Sequence, residues 1–251
     1  MSDDLLAPYR DLPNTRRSGR IIVEGRWAVE ALLQSEFAVE SVILEEGLAN
    51  PPAVPPDITI LRLAREEIHS LVGFKFHHGV LACAMRPAPT RFREWLENHD
   101  APDNPTFAVC VNLADASNIG AIVRSAAALG LHAVLIPAEA GADPFSRKSI
   151  RASSGAAFRL PVLECVKLAD DLGEFRKEAS IIASTLEDDA VSIAEMRASE
   201  GKRFVLLGSE RDGLSRDWLD LATVKARIPV GNGVDSLNVA AAAAIFFFLL
   251  R

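Results

Sequence analysis

From Thr106 to Ile228, strand-like and helix-like segments alternate at regular intervals, and this limits the fold more than any other feature of the chain. Apolar and β-branched runs at Phe107–Val111, Ala133–Ile136, Ile181–Ser184, Phe204–Leu207 and Val224–Ile228 read as strands. Helical periodicity lies between them, at Ile119–Leu129, Phe145–Ala152, Leu168–Glu178, Ile193–Ala198 and Arg216–Leu221. Such alternation builds a mostly parallel sheet with helices on both faces. Ligands of these sheets sit at the carboxyl ends of the strands, so chemistry is expected in the loops there.

A shorter α/β pattern precedes it. IVEGRWAVEALL predicts a helix with Trp27, Ala28, Ala31 and Leu32 on one apolar face. Val39–Leu44 and Ile58–Leu63 read as strands, separated by NPPAVPPD, a loop because proline cannot donate to a ladder. Arg65–Val72 reads as a helix that Gly73 terminates, and FKFHHGVLACAM leads into a third strand. The division expected is an extension over 1–19, a small domain over 20–88, a linker over 89–105 and a large domain over 106–251. The linker carries a short polar helix, Thr90 to Asn98, broken by DAPDNP.

The stretch IPVGNGVDSLNVAAAAAIFFFLLR carries no charge between Asp235 and Arg251. Its apolar residues form no stripe, which predicts a terminal helix buried on all faces. Val239–Leu250 is far shorter than the ~20 apolar residues of a membrane span.

Cys83, Cys110 and Cys165 are widely spaced and have no CxxC partner, which argues against disulfides or a zinc site and for a reducing compartment. MSDDLLAPYRDLPN is acidic and lacks an apolar core, so the expectation is a cytoplasmic protein without a leader. The net charge of −7 does not favour nucleic acid. Its distribution leaves the question open. Pro144 to Arg159 holds Arg147, Lys148, Arg151 and Arg159 with no acid, and Arg10, Arg16, Arg17, Arg20 and Arg26 form a second cluster. Phosphate contact and a solvated face both suit such patches.

Three loops follow strands in the larger unit. In NLADASNIGAIVR, Asn118 suits a helix N-cap, Gly120 lets another backbone approach the first turn, and Arg124 follows six residues later. In LGSERDGLS, Gly208 and Gly213 suit positive φ or close approach, and Glu210 stands at the mouth of the sheet. The third, GNGVDSLN, carries Gly231 and Gly233 before Ser236, Leu237 and Asn238. Taken singly, each also suits an ordinary capped turn. None matches GxxxxGK[ST], and GNGVDS is not a dinucleotide fingerprint after a first strand.

Taken together and in order, NIGAIVRSA, LGSERDGLS and IPVGNGVDSLNVA resemble the three motifs of the SpoU (TrmH) family of RNA 2′-O-ribose methyltransferases. RASSGAAFRLPV is similar to a further family segment. IVEGRWAVEALL and FHHGVLA resemble the ribosomal-protein-like substrate-binding domain that precedes many of these enzymes.

The resemblance implies an α/β fold: a mostly parallel-sheet methyltransferase domain with a trefoil knot, behind a small α/β substrate-binding domain. General topology rules reject knots, so only the resemblance licenses this one. It further implies S-adenosylmethionine as methyl donor, with no metal. Gly208, Ile228 and Leu237, flanked by Leu207, Ser236 and Asn238, are expected to hold the adenosyl part, the glycines leaving room for a flat ring. Arg124, Asn118 and Glu210 are the expected catalytic residues, with Arg124 acting on the ribose 2′-hydroxyl and Glu210 orienting it. Arg147, Lys148, Arg151 and Ser153 are expected to meet RNA; Ser153 and Asn238 also suit capping.

Ribosomal RNA of the large subunit, methylated at a guanosine, is the expected substrate. Transfer RNA, a non-catalytic RNA-binding factor and a small-molecule nucleotide enzyme are the alternatives. A homodimer through the knot and the C-terminal helix and no membrane partner are expected. Two departures stand out: Ala240 where serine is common, and His78 where glutamine is common. Adjacent strand residues face opposite ways, so His77 and His78 make a poor metal pair.

Overall fold

The protein was examined as a computed structural model, which describes residues 2–10, 17–73, 79–138, 141–196 and 200–250. Phe74 to His78, with the histidine pair, lie outside the described residues, as do Arg16, Ala198 and Arg251.

The smaller unit is a four-stranded sheet of β1 (Arg20–Glu24), β2 (Val39–Glu45), β3 (Thr59–Leu63) and β4 (Val80–Met85), in the order β1-β4-β2-β3. β1 and β2 flank β4 antiparallel, while β2 and β3 run parallel. Sequence periodicity missed β1. It is a run of five residues, RIIVE, with a charge at each end and only three apolar residues between them.

Three helices belong to this unit: α1 (Ser2–Arg10), α2 (Arg26–Leu33) and α3 (Arg65–Val72). Alternate strand residues serve two cores. Ile22, Ile43, Leu81 and Cys83 pack with Tyr9 and Ile68 beneath α1 and α3. The N-terminal stretch expected as an extension is therefore anchored: Tyr9 is fully buried, and its hydroxyl donates to the Ser41 carbonyl at 3.0 Å.

The larger unit is a seven-stranded, wholly parallel sheet. Its strands are β5 (Thr106–Cys110), β6 (Ala133–Pro137), β7 (Val162–Cys165), β8 (Ala179–Ser184), β9 (Val191–Ser192), β10 (Lys202–Leu207) and β11 (Val224–Arg227), ordered β7-β6-β5-β10-β8-β11-β9. The two strands missing from the sequence reading, β7 and β9, are the short edges.

On one face α4 (Phe92–Glu97), α7 (Leu168–Phe175) and α8 (Arg216–Leu221) cover Phe107, Leu135, Ile181 and Phe204. Here the linker expectation needs correcting. Phe92 is fully buried against the rings of Phe107 and Phe204, and Thr90 pairs with Glu164 and Val166 beside β7. The apolar residue at the helix start, not the polar composition of the segment, decides where α4 packs.

On the other face lie α5 (Ala116–Ala128), α6 (Arg147–Ser153) and α9 (Val239–Leu250). Their core is continuous with the second face of the small sheet, so Ile21, Val42 and Ala82 join one apolar cluster with Ala108, Val134 and Val205. Three ion pairs, centred on Arg86 and Glu24, pin this junction. Arg86, just past β4, meets Asp143 at 2.7 Å and Glu164 at 2.5 Å. Glu24, at the end of β1, receives Arg147 at 2.5 Å.

α9 is not buried all round. Ala243, Phe246, Phe247 and Leu250, spaced i, i+3, i+4, i+7, face the core, while Phe248 and Leu249 are exposed. Composition hid the stripe because the outward residues are as apolar as the inward ones. No helix among the described residues is long and apolar enough to cross a membrane.

Candidate active site at the carboxyl ends of β5, β10 and β11

The three loops converge through one chain of hydrogen bonds. The Asn118 amide donates to Glu210 Oε1 at 2.6 Å, and the Asn238 amide donates to Asn118 Oδ1 at 3.1 Å. Residues 120 positions apart in the chain thus share one polar cluster.

Asn118 is free for this because it does not cap its helix. The cap lies three residues earlier: Asp115 accepts from the Ser117 N–H at 2.7 Å, and α5 begins at Ala116. Lys148 and the Ser117 groups hold Asp115 ionised down to about 2. Asn118 consequently sits in the first turn, half-buried, with its side chain pointing at the neighbouring loop.

Glu210 occupies the tip of a tight loop closed by Ser209 and Gly213, which exchange backbone bonds of 3.1 and 3.0 Å. Gly208 is required by this closure. A Cβ there would stand 2.3 Å from the Gly213 carbonyl carbon, so its reason is the loop's own backbone rather than room for a flat ring. Partial burial raises the Glu210 pKa, but bonds from Asn118 and from backbone N–H groups, Ala114 among them, outweigh this and leave it lowered. Among the described residues the side-chain hydrogen bonds of Glu210 go to Asn118 and Ala114, and that of Arg124 goes to Ser154.

Arg124 lies two turns along α5, exposed, and donates to Ser154 Oγ at 3.2 Å. Ser154 closes α6 at φ 51°, a left-handed position. Gly120 lets α6 come this close: a Cβ on it would meet the Ser149 carbonyl oxygen at 2.2 Å, in line with the expected close approach.

In the third loop Asn238 caps α9, accepting from Ala240 N–H at 2.9 Å and from Ala241 N–H at 3.4 Å. This answers the Ala240 departure, since the cap is made without a hydroxyl at that position. Ser236 is exposed, Ile228 is half-buried against the main core, and Val230, Val234 and Leu237 are 40, 52 and 40% exposed. Leu207 has a core side chain, and its carbonyl accepts from Val111 N–H at 2.8 Å.

Residues 105–248 match the SpoU rRNA Methylase family. The chain belongs to that family.

Among its relatives, an uncharacterized tRNA/rRNA methyltransferase of Mycobacterium tuberculosis is 30% identical over 98% of this chain and 88% of its own length. A 23S rRNA (guanosine-2′-O-)-methyltransferase of Xylella fastidiosa is 37% identical over 76% of each. The solved SpoU methyltransferase AviRb of Streptomyces viridochromogenes, in complex with AdoMet, superposes with a TM-score of 0.81 over 98% of this chain and 96% of its own, at 21% identity.

Within this SpoU-family site, the basic residues expected to meet RNA divide. Lys148 and Arg151 are well exposed, though Lys148 contacts Asp115 and Arg151 reaches Glu24 at 3.5 Å. Arg147 is drawn inward onto Glu24. Ser153 is buried and its hydroxyl donates to the Ile150 carbonyl at 2.8 Å, so it is a packing residue and not a surface contact. Sequence reasoning passed over Asp115 and Ser154. Asp115 had a signal, an aspartate just ahead of a helical pattern. Ser154 had none, because its link to Arg124 exists only once α5 and α6 are packed. Among the described residues no three His, Cys, Asp or Glu side chains group as a metal site.

Proposed function

We propose that this chain transfers a methyl group from S-adenosylmethionine to a ribose 2′-hydroxyl of large-subunit ribosomal RNA. The observation that carries the reading is the Glu210–Asn118–Asn238 chain of bonds, which gathers three family motifs at the carboxyl ends of parallel strands. The RNA class rests on the name of the Xylella relative, and a guanosine acceptor follows from the same name.

The cofactor suits the residues present. Val230, Val234 and Leu237 present exposed apolar surface on a loop whose Gly231 and Gly233 have open space where a Cβ would lie. Such surface, beside backbone groups left outside any strand, is what an adenosyl moiety would cover. S-adenosylmethionine when bound supplies an electrophilic methyl on a sulfonium, and AviRb is a relative of the same fold solved with it.

Asn118 and Glu210 hold the loops in register. Arg124 supplies positive charge at the acceptor: a guanidinium keeps its proton and makes a poor base, so its role is to orient the ribose and stabilise the developing alkoxide. The Ser154 hydroxyl keeps it extended toward solvent, where RNA would arrive.

We further propose a trefoil knot and a homodimer in the cytoplasm. The return of α9 from beside β11 to pack on α5 supports the knot. The outward Phe248 and Leu249 support a second copy on α9.

The deciding experiment is transfer of labelled methyl to ribosomal and transfer RNA in parallel, with mapping of 2′-O-methyl sites in cells with and without the gene. Label on transfer RNA alone would overturn the substrate class. Label on neither would overturn the reading.

A further inference from the structure

The helical pattern of RWAVEALL places Trp27 with Ala28, Ala31 and Leu32, yet the structure separates them. Ala28, Ala31 and Leu32 are buried, whereas Trp27 is 77% exposed, the most exposed large apolar side chain among the described residues. A tryptophan on the first turn of α2 thus leaves most of its surface in water.

Its position gives it another use. α2 packs against the turn that follows α6, and a Cβ on Gly155 would stand 3.1 Å from the Ala31 methyl and 3.4 Å from the Trp27 carbonyl oxygen. The neighbour of Gly155 in the chain is Ser154, whose hydroxyl holds Arg124. The backbone of Trp27 is thus seated beside the residue that positions the candidate catalytic arginine. Arg124 has no carboxylate partner among the described residues, and the 65% exposed guanidinium of Arg151 projects from the adjoining helix. An exposed aromatic ring on a helix whose backbone packs on the turn after α6, together with arginines exposed on α5 and α6, is a combination that suits unpaired bases: a ring can stack, and cations can meet the backbone phosphates.

We infer that Trp27 is a stacking platform for an unpaired RNA base close to the ribose that is methylated, so that the small domain reads the substrate at the edge of the active site. The inference rests on the proposed RNA methyltransferase reading. It deepens that reading by assigning one side chain of the small domain to single-stranded RNA.

The test uses the full chain and a short single-stranded RNA of mixed sequence, titrated with tryptophan fluorescence as the readout. Stacking should quench the wild type. Trp27→Phe, which keeps Trp95 and Trp218, should lose most of that quench. By a second method, Trp27→Ala should bind the RNA about tenfold more weakly or worse, with Trp27→Phe in between. In methyl transfer, Trp27→Ala should raise KM for RNA more than it lowers kcat, with S-adenosylmethionine affinity and unfolding temperature unchanged.

Wild-type and Trp27→Ala proteins binding RNA within twofold of each other would overturn the inference, as would an absent quench or a Trp27→Ala protein that falls from dimer to monomer. Quenching and weakened binding in a protein that methylates no RNA would uphold the platform and remove the methyltransferase reading. Active transfer that ignores Trp27 would do the reverse.

Discussion

Asn118 donates to Glu210 across 2.6 Å, joining the first turn of α5 to the tip of the loop after β10. Its other side-chain atom accepts from Asn238, so one amide spends its donor and its acceptor on two different loops. Asn118→Ala breaks both links. Calorimetry should show S-adenosylmethionine binding weakened about tenfold, the scale of one to two net hydrogen bonds. The unfolding temperature should hardly move, because the cluster lies near the surface. Unchanged affinity would remove the bridge from the binding mechanism.

Arg124→Ala should bind S-adenosylmethionine like the wild type and transfer methyl on the order of a hundredfold more slowly, or worse. Arg124→Lys should not restore the rate, since a point charge lacks the planar fork. Ser154→Ala should produce a loss of a few-fold in kcat alone. Near-normal turnover in Arg124→Ala, measured with labelled methyl, would sink its role.

Glu210 carries a lowered pKa, so the sign of its pH effect is determined. Its contribution is present above its ordinary value of 4.5 and is lost as pH falls through the lowered folded value. The difference in unfolding temperature between wild type and Glu210→Gln should be flat from neutral pH down to that ordinary value and shrink below it. A difference that instead collapses between pH 7 and 6 would mean that another group is responsible.

Arg86 is 7% exposed at the side chain and contacts Asp143 and Glu164, whose own side chain is 4% exposed. Burial pushes its pKa down, but the two carboxylates outweigh that and leave it raised. Arg86→Met removes the cation these acids face, and breaking a buried pair costs about 3–5 kcal/mol. Urea denaturation should show a loss of that size, partly recovered by adding Glu164→Gln. A loss under about 1 kcal/mol would show the junction to be held by apolar packing alone.

Gly120→Ala should destabilise by about 1–3 kcal/mol, because the added methyl meets the Ser149 carbonyl and the Ala152 methyl and the α5–α6 contact must open. Gly231→Ala meets open space and should leave stability nearly unchanged. Equal effects at the two positions would contradict the packing described for α5 and α6.

Strand and helix alternation in the larger unit was legible because buried parallel strands read as continuous apolar runs bounded by turns. β1, β7 and β9 escaped: RIIVE, VLEC and VS are short runs broken or bounded by charged or hydroxyl residues, and the two residues of β9 leave no period to detect. The three motif loops and their candidate residues were also legible, since each loop stands directly after a strand and carries glycine beside a polar side chain.

Sequence by itself determined a parallel α/β unit, a smaller α/β unit ahead of it, the three loops and the family they belong to. Those properties are local, written in periods of two and 3.6 residues and in short motifs. Only the tertiary structure decided that Asn118 bridges Glu210 and Asn238 instead of capping α5, that Ser153 turns inward, that α9 has an outer face, and that Trp27 stands in solvent. Each depends on which element lies across from the residue. Contacts between positions 30 to 120 residues apart leave no local periodicity to read.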